Sequence, residues 1–264
     1  RGLVVVSDGK KILTNHEDSG DEPQMLAFQL PSIPIVVGDK IKASCFARDF
    51  FGVSTVIIDD GFQTFKLKKD CDVVLVDLSV SKQDYYLIPV GKLRENLGAL
   101  KRANIIIFTK INPSNPSSNI IKNLVLPYVD TRSQLCLESH LSFDLLVYNY
   151  NDHKLIPCEN LELPVVCFCG ISNAVSFFSA AKETCSMIVD FLSFDDHYNY
   201  QSSDILKIKN IVYKNKAVGV LTTFKDYVKI KNCFPSIEIY VLDVKHNISN
   251  KNLLIDYINK NLKY

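Results

Sequence analysis

The alternation of short apolar runs with segments of helical spacing is the feature that most constrains the fold. Six nearly continuous apolar runs, rich in Val and Ile, end at polar residues, a pattern typical of strands buried in a parallel sheet. These runs are residues 53–58, 73–76, 105–108, 165–169, 218–221 and 237–242. Between them lie segments with helical spacing, and in the last one Leu253, Leu254 and Tyr257 share one helical face. We therefore predict an α/β fold with mostly parallel sheets.

Composition excludes several other classes of protein. Of the 264 residues, 47% are hydrophobic and 22% are charged, as in folded globular proteins and unlike disordered or fibrous ones. No apolar run approaches the roughly 18 residues that a membrane-spanning helix requires. The net charge of +1 gives no global electrostatic case for nucleic-acid binding. We expect a folded protein that does not span a bilayer and has no nucleic-acid partner, and the sequence indicates no protein partner.

The positive charge is concentrated in the last quarter of the chain. Residues 201–264 hold eleven lysines against five acidic residues. A solvated lysine-rich face is the simplest interpretation, and a surface that meets phosphates or an anionic membrane is the alternative.

The eight cysteines are scattered and contain no C-x-x-C pair, which argues against a structural zinc site. Most lie within apolar segments, where a free cysteine behaves as a small hydrophobic residue. This usage favours a reducing compartment, so we expect a cytoplasmic protein.

Two turns present adjacent carboxylates. Asp59 and Asp60 follow the first apolar run and precede a glycine, and carboxylates at a strand end are ligands that Mg²⁺ prefers. A solvated Asp-Gly turn explains this pattern equally well. Asp21 and Glu22 lie in a G-D-E-P turn, where a carboxylate could act as a general base and a capped turn is the simpler interpretation.

Basic and aromatic side chains accompany carboxylates in three further motifs. Lys92, Arg94 and Glu95 lie close together, and a guanidinium binds phosphate in a bidentate manner, although ordinary surface charges near a helix start give the same pattern. His197 lies beside two aspartates and could transfer protons near neutral pH, whereas a lone histidine is usually structural or solvated. The segment T-T-F-K-D at 222–226 joins a predicted strand to a helix.

Taken in chain order, these motifs resemble those of the tetraacyldisaccharide 4′-kinase family, the lipid A 4′-kinases. Each motif alone is weak, but seven in the family's order cover essentially the whole chain. The matching segments are residues 20–23, 59–63, 89–95, 109–110, 169–177, 194–200 and 222–226. The chain departs from the family pattern at Thr64, Ala174, Tyr198 and Phe224.

The resemblance implies a P-loop-kinase-like fold of two α/β/α lobes. We place an N-terminal nucleotide and substrate lobe at 1–133, a β-rich connector at 134–163, and a C-terminal α/β lobe at 164–264. The phosphate loop G-x-x-x-x-G-K-[ST] is absent from the sequence. The family carries this loop and a first strand upstream of the matching region, so this chain is expected to lack them and to have little or no kinase activity by itself.

The resemblance also implies a reaction. The family transfers the γ-phosphoryl group of ATP, with Mg²⁺, to the 4′-hydroxyl of a tetraacyldisaccharide 1-phosphate and produces lipid IVA. Asp21 would be the base facing the hydroxyl, and His197 from the other lobe would be its partner, so that lobe closure completes the site.

The remaining roles are also carried over by resemblance. The nucleotide and Mg²⁺ would be bound by Asp59, Asp60 and Glu95, and the substrate by Glu22, Gln63 and Arg94. A lipid disaccharide substrate would place the protein peripherally on the cytoplasmic face of the inner membrane.

Two other interpretations stay open. A degenerate homologue could bind lipid or nucleotide without catalysis. The departures at Thr64, Ala174 and Phe224 favour it, whereas retention of Asp21, Asp59, Asp60 and His197 argues against it. An unrelated α/β enzyme that binds nucleotide sugars could use Asp59 and Asp60 for a metal, but this leaves residues 194–200 and 222–226 unexplained.

Overall fold

The computed structural model describes residues 2–111, 116–152, 154–159 and 161–261. Within these ranges the strands are β1 (Val4–Asp8), β2 (Pro34–Val37), β3 (Val73–Asp77), β4 (Ile105–Thr109), β5 (Leu135–Asn149), β6 (Lys154–Pro157), β7 (Val165–Cys169), β8 (Ile188–Ser193), β9 (Gly219–Thr223) and β10 (Glu238–Ile248). The helices are α1 (His16–Ser19), α2 (Asp21–Gln29), α3 (Lys40–Phe51), α4 (Pro116–Val125), α5 (Ala174–Thr184), α6 (Ser202–Lys214), α7 (Phe224–Ile230) and α8 (Lys251–Asn261). Short 3₁₀ turns occupy Lys82–Tyr85, Leu97–Arg102 and Leu126–Tyr128.

These elements form two compact units. The first unit contains Arg1–Val56 and Phe143–Val244, and the second contains Ile57–Ser142 and Lys245–Tyr264. Strands β5 and β10 each have residues in both units. This grouping differs from the division expected at residues 133 and 163, because the first 56 residues pack with the later α/β segment rather than with the residues that follow them in sequence.

In the first unit the strand order is β5-β10-β9-β7-β8, and the pairs β10–β9, β9–β7 and β7–β8 are parallel. Strand β7 is buried on both faces: Phe168 packs in one apolar cluster with α6 and α7, and Cys167 packs in a second cluster with α5. Alternate residues of a strand point to opposite faces, so helices cover both sides of this sheet.

A small antiparallel pair, β1 and β2, belongs to the same unit. Helix α2 lies between this pair and α7, and the ring of Phe28 meets that of Tyr227 edge-on at 6.1 Å. This packing brings the start of α2 to the helix that follows β9.

In the second unit, β3, β4 and β5 pair in parallel in that order. Strand β4 is buried on both faces, with Ile106 and Phe108 in one cluster and Ile105 and Ile107 in another. Helix α8 packs on the second cluster through Leu254 and Tyr257, so the helix predicted from their spacing is confirmed.

The structure confirms an α/β fold with mostly parallel strands, and five of the six apolar runs form strands. The β-structure expected between 134 and 163 is present as the antiparallel pair β5 and β6. The strand predicted at 53–58 is wrong: none of the described strands pairs with this segment, and the side chain of Ile57 is 94% exposed. An apolar run forms a strand only where a neighbour takes its backbone hydrogen bonds.

The eight cysteines are free thiols, and Cys167, Cys169 and Cys185 are buried. Burial raises the pKa of Cys169 to about 12, so this thiol stays protonated at neutral pH. Among the described helices the longest is α6 with 13 residues, and none has the length and apolar character of a membrane span.

Candidate active site

The predicted site residues fall into two groups, one in each unit. Asp21, Glu22 and His197 belong to the first unit. The second unit contains Asp59, Asp60, Gln63, Arg94 and Glu95.

Asp21 is the first residue of α2, where the helix dipole stabilises a negative charge. Gly20 precedes it with φ of 92°, a backbone conformation that favours glycine. The buried side chain of Gln24 donates to the carbonyl of Thr14 at 2.6 Å and to Ser19 Oγ at 3.2 Å, which fixes the turn before the helix. The Asp21 side chain is 11% exposed, so its position is set by the fold.

Two nitrogen atoms meet the same oxygen of Asp21. His197 Nδ1 lies 3.2 Å and Lys229 Nζ lies 2.7 Å from Asp21 Oδ2. Lys229 comes from α7 and also donates to the carbonyl of Tyr198 at 3.0 Å. These side chains, with His16, Glu17, Tyr198 and Asn199, line an open cleft of about 400 Å³. The arrangement pairs a carboxylate with a histidine where a ligand hydroxyl can enter.

The expectation that Asp21 and His197 come from different lobes is therefore wrong. Both side chains belong to one compact unit and are already in contact. The packing of α2 on α7 also brings Asp21 beside Lys229, which is far from it in the sequence.

A tight turn carries His197. Its backbone N–H donates to the carbonyl of Gly170 at 3.2 Å, and its φ of 57° lies in the left-handed region that is uncommon for residues other than glycine. The His197 side chain is 58% exposed and reaches the cleft from this turn. Local backbone strain of this kind clusters at functional sites.

The turn is anchored by Asp226, which has no exposed surface. Its carboxylate accepts hydrogen bonds from Thr223 Oγ1 at 2.7 Å, Gly170 N at 3.0 Å and the Tyr200 hydroxyl at 2.9 Å. Burial and the nearby Asp226 charge raise the pKa of Tyr200, so this hydroxyl stays a donor. A single buried carboxylate thus joins three motifs that are separate in the sequence.

Gly170 has no room for a side chain. A Cβ there would lie 3.1 Å from Asp226 Oδ1 and 3.0 Å from the Cβ of Tyr198. Glycine at this position lets the end of β7 approach both Asp226 and the turn that carries His197.

Glu22, predicted to bind the substrate, forms an ion pair with Lys225 of α7 at 2.6 Å. Its side chain is 52% exposed, so this pair lies at the surface beside Asp21. Glu22 is therefore accessible to a ligand, and Lys225 competes for its carboxylate.

In the second unit Asp59 and Asp60 lie in a turn, and Asp60 has φ of 49°. Asp60 Oδ2 pairs with Arg94 Nη1 at 3.0 Å, and both side chains are about 60% exposed. An exposed pair of this kind exchanges partners easily, so Asp60 and Arg94 can each be released to a ligand.

Glu95 and Arg102 form the second ion pair of this group, at 2.9 Å. The hydrogen bond from Arg102 lowers the pKa of Glu95, and a hydrogen bond from Gln63 acts in the same direction. The Arg102 guanidinium lies over the rings of Phe62 and Phe65, 4.6 and 5.1 Å from their centres. Of the predicted residues, Arg94 thus contacts Asp60, and Gln63 and Glu95 contact each other.

Lys69, which was not predicted as a site residue, stabilises the turn that contains Asp59 and Asp60. Its Nζ donates to the carbonyls of Gly61 and Phe62 at 2.9 and 3.2 Å and pairs with Asp72 at 2.8 Å. The side chain is 15% exposed, so the ammonium fixes the backbone just after Asp60.

Asp77 and Lys110 form a further charged pair that was not predicted, at the carboxyl ends of β3 and β4. Their side chains are 2.6 Å apart. Burial raises the pKa of Asp77, but hydrogen bonds from Lys110 and Ser79 outweigh this effect and the pKa is lowered overall. Asp77 therefore stays ionised well below neutral pH.

The donor set at the Asp59 turn fits Mg²⁺ bound together with phosphates rather than an all-protein metal cage. Magnesium commonly uses one or two carboxylates and completes its shell with water and phosphate oxygens. Asp59 makes no hydrogen bond or ion pair with the described residues, and Asp60 pairs with the exposed Arg94. Within the described ranges no group of three or more His, Cys, Asp or Glu side chains could hold a metal alone.

The sequence matches the model of the family "Tetraacyldisaccharide-1-P 4′-kinase" over residues 1–263. The chain belongs to this family. The tetraacyldisaccharide 4′-kinase of Halothermothrix orenii is 33% identical, over 97% of this chain and 71% of that protein. The corresponding protein of Desulfotalea psychrophila is 31% identical, over 93% of this chain and 70% of that protein.

The fold also matches a solved structure, that of the "apo" form of LpxK from Aquifex aeolicus in complex with ATP. The TM-score is 0.74 at 24% sequence identity, over all of this chain and 75% of that one. At this identity the match shows that the two chains share a fold.

Three departures from the 4′-kinase family pattern have a structural explanation, one at a helix start and two in ring packing. Ala174 is the first residue of α5 after the Asn173 cap, a position that suits proline and tolerates alanine. Phe224 is 7% exposed and packs edge-on against Tyr227. Tyr198 packs on Phe194 at 4.8 Å and leaves the neighbouring His197 in contact with Asp21. No contact in the structure explains Thr64.

The residues that sequence reasoning missed are the positively charged partners and the anchors. The sequence does not distinguish Lys69, Arg102 and Lys229 from surface residues, because a single lysine or arginine in a helix or loop has the same local pattern as a solvated charge. Asp226 lay within a recognised motif, where only its complete burial distinguishes it as an anchor.

Proposed function

We propose that the protein transfers the γ-phosphoryl group of ATP to the 4′-hydroxyl of a tetraacyldisaccharide 1-phosphate, giving lipid IVA and ADP. Membership of the 4′-kinase family supports this reaction. The observation that carries the proposal is the contact of Asp21 with His197 at the edge of a cleft.

In this reaction Asp21 orients the acceptor hydroxyl and takes its proton. Both contacts of the carboxylate use Oδ2, so Oδ1 is the oxygen that remains for the hydroxyl. The hydroxyl oxygen forms a bond to the γ-phosphorus as the bond from that phosphorus to the bridging oxygen of ADP breaks. Little covalent chemistry is required of the protein, because phosphoryl transfer depends mainly on positioning and electrostatic stabilisation.

His197 stabilises the carboxylate from the cleft side and turns it towards the substrate. Asp59 and Asp60 would hold Mg²⁺, which when bound neutralises charge on the phosphates. Glu95 would act on the nucleotide side, and Glu22, Gln63 and Arg94 would bind the substrate. Arg94 suits a phosphate group, since a guanidinium donates two parallel hydrogen bonds.

A lipid substrate implies work at a membrane surface. Exposed lysines of α6, among them Lys207 and Lys214, suit anionic lipid headgroups. Sedimentation with anionic vesicles tests this contact, and binding that is unchanged when both lysines are replaced by glutamate would contradict it.

The reaction is tested with the complete gene product, ATP and the disaccharide in detergent micelles. Asp21→Asn is expected to lower kcat by about 100-fold or more, because the general base is lost while its shape is kept. Asp18→Asn, an exposed aspartate in the preceding helix, is the matched control and should leave kcat unchanged. Absence of lipid IVA from the wild-type reaction would refute the proposed function, and normal turnover by Asp21→Asn would refute the role of Asp21.

A further inference from the structure

Lys229 is more deeply buried than the two residues it accompanies. Its side chain is 4% exposed, compared with 11% for Asp21 and 58% for His197. A buried ammonium is costly unless it is paired and hydrogen-bonded, so its position is tied to that of its partners.

One ammonium group joins both halves of the Asp21–His197 pair. Lys229 Nζ lies 2.7 Å from Asp21 Oδ2 and donates to the carbonyl of Tyr198, the residue after His197, at 3.0 Å. Asp21 and His197 are 176 residues apart in the sequence. Lys229 therefore links the helix that carries the base to the turn that carries the histidine.

The contacts of Lys229 also decide which carboxylate oxygen is available. Nζ and His197 Nδ1 both approach Oδ2, and Oδ1 makes no hydrogen bond within the described residues. A carboxylate held at one oxygen by two nitrogen atoms has little freedom to rotate. Its other oxygen is thereby kept for the acceptor hydroxyl.

The other two lysines around α7 have different partners. Lys225 pairs with Glu22 and is 27% exposed, and the Lys231 ammonium lies over the ring of Phe28 at 4.1 Å. Contact with Asp21 is thus particular to Lys229 among these three.

We propose that Lys229 is a positioning residue for the phosphoryl transfer, which acts through Asp21 by fixing its carboxylate against His197. This inference rests on the function proposed above. A displaced base would slow the chemical step and leave the binding of both substrates almost intact.

The first test compares two variants of Lys229 in the complete gene product. Lys229→Met is expected to lower kcat by about 100-fold and to change KM for ATP and for the disaccharide by less than about threefold. Lys229→Arg keeps the positive charge and should retain kcat within about tenfold of the wild type. Lys231→Met removes a lysine of similar chain position that does not contact Asp21, and should leave kcat unchanged.

The second test is a double-mutant cycle with Asp21→Asn. Because Lys229 acts through Asp21, adding Lys229→Met to Asp21→Asn should lower kcat by no more than about twofold further. Circular dichroism and the melting temperature show whether the variants are folded, and Lys229→Gln replaces Lys229→Met in the cycle if the methionine variant unfolds.

The outcomes separate this inference from the proposed function. If the wild type does not phosphorylate the disaccharide, both proposals fail. If the wild type is active, the role of Lys229 is overturned by a kcat of the folded neutral variant within threefold of the wild type. The role of Lys229 is also overturned if the loss of kcat in the double variant equals the product of the losses in the two single variants.

Discussion

The first cluster, formed by Asp21, His197 and Lys229 in the first unit, contains a buried ion pair. The second cluster, formed by Asp60, Arg94, Glu95 and Arg102 in the second unit, contains more exposed ion pairs. The side chains of Asp21 and Lys229 are 11% and 4% exposed, compared with 62% and 61% for Asp60 and Arg94. In the first cluster two nitrogen atoms converge on one carboxylate oxygen. In the second, the charged side chains meet in surface ion pairs of the kind that contributes little to stability.

The difference matches the two roles proposed for these clusters in phosphoryl transfer. A base must stand at one distance from a hydroxyl, and burial with shared hydrogen bonds provides such fixed geometry. Side chains that bind phosphates and a metal ion must release one partner to take another, which solvent-exposed pairs do at little cost. The second cluster nevertheless has a rigid support, because Lys69 fixes the backbone of its turn.

The largest effect is expected at Asp226, which anchors the first cluster. Asp226→Ala leaves the Gly170 N–H and the Tyr200 and Thr223 hydroxyls without their acceptor, and should lower the free energy of unfolding by about 3 kcal/mol. Urea unfolding followed by circular dichroism measures this change. Asp195→Ala, an exposed aspartate near the same turn, should change it by less than about 0.5 kcal/mol. Equal effects of the two variants on the free energy of unfolding would show that the buried Asp226 does not anchor the first cluster.

A smaller effect is expected at Lys69, the support of the second cluster. Lys69→Met leaves the Gly61 and Phe62 carbonyls and Asp72 without their donor and should cost about 1–2 kcal/mol of the free energy of unfolding. Lys68→Met, at the exposed neighbouring position, is the matched control and should be nearly neutral. If urea unfolding shows no difference between these two variants, the second cluster has no fixed support and its turn is as adaptable as its side chains.

The smallest effect concerns the ionisation of Glu95. Because Arg102 lowers its pKa, replacing that residue in Arg102→Met should raise the pKa of Glu95 towards the ordinary value of 4.5, as measured by carboxyl NMR. A carboxylate with a lowered pKa contributes stability above its unfolded-state pKa and loses it as the pH falls through its folded-state pKa. The part of the stability difference that depends on the Glu95 charge should therefore be complete above about pH 5 and be lost in acid, and the part from the contacts of Arg102 with the two phenylalanine rings should remain. Lys101→Met is the control and should leave the pKa of Glu95 unchanged. A change in the pKa of Glu95 in this variant would mean that the net charge of the region, and not the ion pair with Arg102, lowers it.

Most of the fold could be predicted from the sequence, because buried parallel strands and capped helices have local patterns. Strand β9 and helix α7 were predicted from one segment in which Thr223 ends the strand and caps the helix. The run at 53–58 has the same apolar character and is not a strand, since strand formation depends on a partner that a local pattern does not contain. The candidate residues came from the family motifs, and their assigned roles stay proposals.

The sequence by itself determined the α/β class, the family and the carboxylates that are candidates for catalysis. Only the tertiary structure decided which of those carboxylates is buried, that Lys229 and His197 share one oxygen of Asp21, and that Asp226 joins three motifs. The physical reason is that apolar periodicity, helix caps and turns depend on neighbours along the chain. The strength and geometry of a charge pair depend instead on burial and on partners nearly two hundred residues away.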